Sequence, residues 1–193
     1  IYMMLSISKG LNLYDQEVRD GNFKKNASKI ETLELFKKDI LIVGFGRIGK
    51  SLIKRCLGFE MNVNIFDPFV SKETVLQFGG NKIDNLDEGL KKCDYLSLHI
   101  PLTKKTKNMI DISKFKIMKK NAIIINTSRG GIINEQDLDK ALNENIIFGA
   151  GLDVFEKEPV NTDNPLLKNE KVLLSPHSAT FTNECKSRMS IET

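Results

Sequence analysis

The stretch Asp39-Ile40-Leu41-Ile42-Val43-Gly44-Phe45-Gly46-Arg47-Ile48-Gly49 constrains the fold of this chain more than any other. Ile40 to Val43 is a short apolar run rich in β-branched residues, the pattern of a strand buried on both faces. It leads directly into glycines at G-x-G-x-x-G spacing. Apolar residues at helical intervals follow at Ile48, Leu52, Ile53 and Leu57. Each glycine has its own task. Gly44 permits the tight turn out of the strand, Gly46 lets a pyrophosphate approach the backbone, and Gly49 lets helix and strand pack closely. The free N–H groups of the first helical turn then face the phosphates, and the helix dipole favours their charge.

A second apolar run, Val63 to Phe66, ends in Asp67, about twenty residues beyond the glycines. An acid there accepts hydrogen bonds from the adenosine ribose hydroxyls and repels a 2′-phosphate, which favours NAD over NADP. The plainer reading is that Asp67 caps the turn before Pro68. Strand, glycine turn, helix, strand and acid in this order point to a dinucleotide-binding unit.

Such a unit needs a core on both faces of a sheet. A chain of 193 residues, 40% hydrophobic and 28% charged, supplies one large globular domain. Basic residues number 29 against 25 acids, for a net charge of +4, but the lysines are dispersed and often stand beside acids. No basic stripe interleaved with aromatics is present, so nucleic acid is not an expected partner. Cys56, Cys93 and Cys185 lack the spacing of a disulfide framework or a zinc site, which suits a reducing cytoplasm and no metal. No apolar run approaches the length of a membrane span. The apolar start, Ile1 to Leu5, is too short for a signal peptide and lacks a basic leader. The chain opens on Ile1 rather than Met, and we expect a piece of something longer.

Met4, Ile7, Leu11, Tyr14 and Val18 recur at three- and four-residue intervals, with Ser8, Asn12, Asp15 and Arg19 between them. The spacing predicts one amphipathic helix ending near Gly21. Periodicity alone leaves open whether its apolar face covers its own domain or a second subunit. Asp20 to Thr32 is a polar connector. Beyond it, strands alternate with helices. Strands are expected at 40–43, 63–66, 82–84, 95–99, 122–126, 148–153 and 172–175, and helices at 71–78, 86–92, 111–118, 135–143 and 182–191. That alternation implies an α/β fold with a doubly wound parallel sheet and right-handed crossovers. Asp153 to Asn169, with Pro159 and Pro165, is a long irregular stretch of the kind that is often functional.

Ligands of an open parallel sheet bind outside the carboxyl ends of its strands. Several of those ends carry polar or ionisable groups: Asp67, His99, the run Asn126-Thr127-Ser128-Arg129, Asp153 with Glu158 beyond it, and His177. Both histidines of the chain fall immediately after apolar strands. Taken one at a time, His177 could be a turn histidine, Arg129 a surface arginine and Glu158 part of a solvated charge run. The glycines after Arg129 suggest a backbone approached closely by something.

These blocks together resemble the NAD-binding domain of the D-isomer-specific 2-hydroxyacid dehydrogenases. The resemblance runs from Gly44-Phe45-Gly46-Arg47-Ile48-Gly49 and Asp67-Pro68 through Leu98-His99-Ile100-Pro101-Leu102-Thr103. It continues in Asn126-Thr127-Ser128-Arg129-Gly130, Gly149-Ala150-Gly151-Leu152-Asp153-Val154-Phe155, Glu158-Pro159, Pro165-Leu166 and Ser175-Pro176-His177. One departure follows the last block. Many relatives have a glycine pair there, and this chain has Ser178-Ala179-Thr180.

The resemblance implies a Rossmann domain whose substrate-binding lobe is largely missing from this chain. Residues 1–34 would be the linking helix and connector, 35–180 the NAD-binding domain, and 181–193 the start of a return helix. Arg129, Glu158 and His177 take the positions of the family's catalytic arginine, glutamate and histidine. Arg47 and Ile48 would cover the pyrophosphate, and Asp153 would sit by the nicotinamide carboxamide. Thr127, Ser128 and Ala179 would line the reactive end, with His99, Ile100 and Pro101 at the cofactor groove. The implied activity is NAD-dependent hydride transfer between a D-2-hydroxy acid and its 2-keto acid, in a homodimer. The fold also serves NAD-sensing dimeric corepressors, which is the rival reading, and a fragment that only binds NAD is a third.

Overall fold

The computed structural model describes residues 1–23, 30–185 and 187. Two short helices come first, α1 (Tyr2–Lys9) and α2 (Leu11–Arg19). The alternating part follows with β1 (Asp39–Val43), α3 (Arg47–Gly58), β2 (Asn62–Phe66), α4 (Lys72–Gln77) and β3 (Asn81–Lys82). It continues through α5 (Leu86–Lys92), β4 (Tyr95–Leu98), α6 (Ile112–Phe115), β5 (Ile123–Asn126) and α7 (Glu135–Asn143). β6 (Gly149–Leu152), a 3₁₀ turn (Pro165–Lys168) and β7 (Val172–Leu174) complete it.

The strands pair in the order β3-β2-β1-β4-β5-β6-β7, all parallel. Direction along the sheet reverses between β1 and β4, the switch point where a crevice opens at the carboxyl ends. Successive side chains of each strand go to opposite faces, and both faces are buried. Leu41, Val43, Leu96, Leu98 and Ile124 pack with Leu90, Phe115, Leu138 and Leu142 on one side. Ile40, Ile42, Ile65 and Ile123 pack with Met4, Ile53, Cys56 and Val75 on the other. This two-sided burial is why the strands read as unbroken apolar runs.

Register does the most for function. Val43 is level with Phe66 and Leu98, Leu98 with Asn126, Asn126 with Leu152, and Leu152 with Leu174. The residue after each of these six strand ends is therefore in one row along the rim: Gly44, Asp67, His99, Thr127, Asp153 and Ser175.

Helices α4 and α6 begin one residue later than the spacing predicts, because the expected first residue is the cap, while α7 begins at Glu135 as expected. Ser71, Asp111 and Asn134 each accept a backbone N–H from the first turn that follows. The structure corrects the single amphipathic helix at the start. Gly10, at φ 60, ends α1 in the left-handed conformation and its N–H bonds the Ile7 and Ser6 carbonyls. α1 lies on the sheet of its own chain, with Met3 and Met4 in the core. Ser8, expected on the polar side, is buried; its hydroxyl bonds the Met4 carbonyl at 2.6 Å and the Tyr95 hydroxyl at 2.8 Å. α2 buries no residue. Residues 186 and 188–191 of the closing helix expected over 182–191, and residues 24–29 of the connector, lie outside the described residues.

Candidate active site

The glycine turn leaves β1 through Gly44, whose φ of 98 suits glycine. A Cβ there would overlap the His99 carbonyl oxygen and lie 2.8 Å from the Ile100 side chain. Gly44 thus brings the glycine turn against the end of β4. Gly46 caps α3, and nothing stands within 4 Å of where its side chain would project. Arg47 and Ile48 are exposed beside it, while Gly49 packs against the Gly44 carbonyl. Open backbone at a helix N-terminus fits a dinucleotide pyrophosphate.

Asp67 caps the turn, the plainer of its two readings. One carboxylate oxygen accepts the Phe69 N–H at 2.9 Å, forming the turn, and the other accepts the Phe45 N–H of the glycine turn at 2.8 Å. Each oxygen keeps a second lone pair for a ribose hydroxyl.

His99 is largely enclosed under this rim, its Nε2 paired with the Ser97 hydroxyl at 2.8 Å. Burial pushes its imidazole down to about 4. The unfolded chain, with an ordinary histidine near 6.5, then binds the extra proton first, so stability is lost as pH falls from about 6.5 to about 4. We expect His99→Asn to remove that part of the pH dependence, on the order of 3 kcal/mol. Urea unfolding of both proteins at pH 7 and pH 4.5 reads it as a narrowing or reversal of their difference.

The carboxyl ends of β5, β6 and β7 are neighbours and carry the remaining candidates. Buried Asn126 shapes the turn to Arg129: its amide donates to the Arg129 carbonyl at 2.9 Å, and its oxygen accepts from the Ser128 N–H and hydroxyl. Thr127 is half-buried, and the Arg129 side chain is exposed, with one guanidinium N–H on the Ser128 carbonyl. Asp153, buried at the end of β6, accepts from the Ser175 hydroxyl, the Ser178 N–H at 2.8 Å and the Ala179 N–H at 3.0 Å. In the structure it holds the loop that carries His177. His177 has φ 52, and its Nδ1 meets Glu158 Oε2 at 2.7 Å. The second Glu158 oxygen accepts the Phe155 N–H at 3.0 Å. Those two bonds, His177 first, hold the Glu158 carboxyl below its ordinary range.

The model of the D-isomer specific 2-hydroxyacid dehydrogenase NAD-binding domain matches residues 1–179. The chain belongs to this family. It is 38% identical over 184 residues to a D-3-phosphoglycerate dehydrogenase of Methanocaldococcus jannaschii, covering 95% of this chain and 34% of that protein. It is 40% identical over 177 residues to a glyoxylate reductase of Korarchaeum cryptofilum, covering 91% of this chain and 53% of that protein. The solved structure of D-lactate dehydrogenase with NAD⁺ from Lactobacillus jensenii superposes with a TM-score of 0.84 at 28% identity, over 99% of this chain and 60% of the other. The chain thus spans between a third and somewhat more than half of the proteins it matches.

The domain holds its rim together with residues to which the resemblance assigned no role, although Asn126 stands among the polar strand ends and Ser175 in the last matched block. Asn126 and Ser175 orient the loops of Arg129 and His177. Glu135, at the start of α7, reaches the loop of Glu158. A polar residue closing an apolar strand was the available signal for Asn126; nothing local marks Glu135.

Proposed function

We propose that the full-length protein is an NAD-dependent oxidoreductase interconverting a D-2-hydroxy acid and its 2-keto acid. The observation that carries this reading is the His177–Glu158 pair at 2.7 Å, on the same rim as the glycine turn. A bound nicotinamide supplies or accepts the hydride at C2 of the substrate. With Nδ1 held by Glu158, Nε2 of His177 is the atom free to give the substrate oxygen its proton during reduction and to take it back during oxidation. The carboxylate fixes the ring and its orientation. Arg129 grips the substrate carboxylate and polarises the adjacent carbonyl with a planar fork of donors, which lysine lacks. The His177 and Phe155 bonds lower the Glu158 pKa, so it stays ionised to lower pH than a free glutamate and the pair is lost only below that.

The test is NADH oxidation by the full-length protein with glyoxylate, hydroxypyruvate and phosphohydroxypyruvate. Turnover with none of them, despite NAD binding, would sink the enzyme reading and favour a cofactor-sensing scaffold. The 193-residue piece should bind NAD in calorimetry with little turnover, the substrate lobe lying outside residues 35–180. Asp67 supports NAD over NADP. Asp67→Ser is expected to narrow the preference for NADH over NADPH in kcat/KM roughly tenfold, about 1.4 kcal/mol.

A homodimer is part of the same reading. Leu11, Leu13 and Val18 of α2 are exposed. Near them a groove of about 650 Å³ runs along the amino ends of the strands, lined by Ile7, Leu13, Phe148 and Leu173. A second subunit would cover this apolar surface, and size-exclusion chromatography giving a monomer would contradict it. Among the described residues no helix is long and apolar enough to cross a membrane. We place the protein in a reducing cytoplasm, where Cys56 and Cys93, buried and pushed up to about 11 and about 12, remain thiols.

A further inference from the structure

Glu158 stands on an exposed loop, residues 156–159, that is part of no strand or helix. A carboxylate that must meet one imidazole nitrogen needs its backbone fixed, and the fixing comes from outside the loop. Glu135, the first residue of α7, sends one carboxylate oxygen to the Glu156 N–H at 2.5 Å and the other to the Asn164 side-chain amide at 2.7 Å. These are the two limbs of the loop, one before Glu158 and one after it. Asn164 in turn caps the 3₁₀ turn through the Leu166 N–H at 3.0 Å, which anchors the second limb. Glu156 adjoins Phe155, whose N–H holds the far oxygen of Glu158. Glu135 itself is steady, because an ionised carboxylate in the first turn of a helix is favoured by the dipole, and Asn134 caps that helix.

We propose that Glu135 is the positioning residue for proton transfer: its carboxylate closes the Asp153–Asn164 loop and so sets Glu158 against His177. It rests on the dehydrogenase reading above. Among the described residues Glu135 makes its carboxylate hydrogen bonds to Glu156 and Asn164 rather than to the His177 ring or the Glu158 side chain, so its effect passes through the loop backbone. Only a carboxylate offers two acceptor oxygens to two donors. A glutamine presents one oxygen and one donor amide, and can satisfy one limb.

The experiment uses the full-length protein with Glu135→Ala, Glu135→Gln, Glu158→Ala and the Glu135→Ala/Glu158→Ala double variant. Hydrogen–deuterium exchange by mass spectrometry reads the clamp without reference to catalysis. Exchange over 154–164 should quicken in Glu135→Ala, and less in Glu135→Gln, with β1 and β4 unchanged. In steady state, kcat should fall roughly 10- to 100-fold in Glu135→Ala, the scale of a displaced catalytic group, while KM for NADH holds. In the Glu158→Ala background the same change should cost less than about twofold, since a residue acting through Glu158 has nothing left to act on. Unchanged exchange over the loop would overturn the proposal, as would a loss that adds fully to that of Glu158→Ala or a matching rise in KM for NADH. Quickened exchange in a protein that turns over no 2-keto acid would remove the dehydrogenase reading, and with it the catalytic purpose assigned to Glu135.

Discussion

His177→Asn in the full-length protein is expected to lower kcat for 2-keto acid reduction by roughly 10²- to 10⁴-fold, the contribution of one well-placed general acid. Asparagine keeps a donor for Glu158 but cannot carry a proton, so the loop stays ordered while the chemistry stops. KM for NADH should change little, because the backbone N–H groups of Ser178 and Ala179 remain on Asp153. Stopped-flow measurement of the hydride step, with and without deuterated NADH, checks it. Arg129→Ala should behave differently, raising KM for the keto acid as well as lowering kcat, since it grips the substrate carboxylate. Wild-type kcat in His177→Asn would dismiss the assigned proton carrier.

The second large effect is on stability and comes from a glycine. A Cβ on Gly130 would overlap the Phe155 carbonyl and lie 2.6 Å from the Glu156 nitrogen. All three atoms are backbone, so no flexible side chain can move aside. Gly130→Ala must push apart the turn after Arg129 and the loop leading to Glu158. Overpacking of this kind costs about 1–3 kcal/mol, and sometimes more. In a domain of this size each kcal/mol is worth roughly 2–4 °C in Tm. We expect a lower Tm together with a fall in kcat, because the two loops bear the arginine and the partner of the histidine. An unchanged melting curve would show that the loops part at no cost.

Both effects turn on contacts between segments distant in sequence, which is where reading the chain alone stopped. The apolar runs at 40–43 and 63–66, the glycines between them and Asp67 placed the cofactor end of the fold, because each signal is local. Strand and helix order followed for the same reason, with helix starts off by a residue where Ser71 and Asp111 are caps. The start of the chain misled. Gly10 inside an apolar period looks like a tolerated residue, yet its left-handed backbone divides the helix. Ser8 looks polar, yet two hydroxyl partners allow it to be buried.

By itself, the sequence determined the parallel α/β sheet, the glycine turn and which strand ends bear ionisable groups. Those depend on side-chain period and backbone freedom over a few residues. Tertiary structure alone decided that these ends share one register, that Glu158 meets His177 across nineteen residues of chain, and that Gly130 lies against Phe155. Glu135 holding both limbs of the loop belongs with them. Such pairings are set by how whole strands and loops pack together, and no local spacing encodes them.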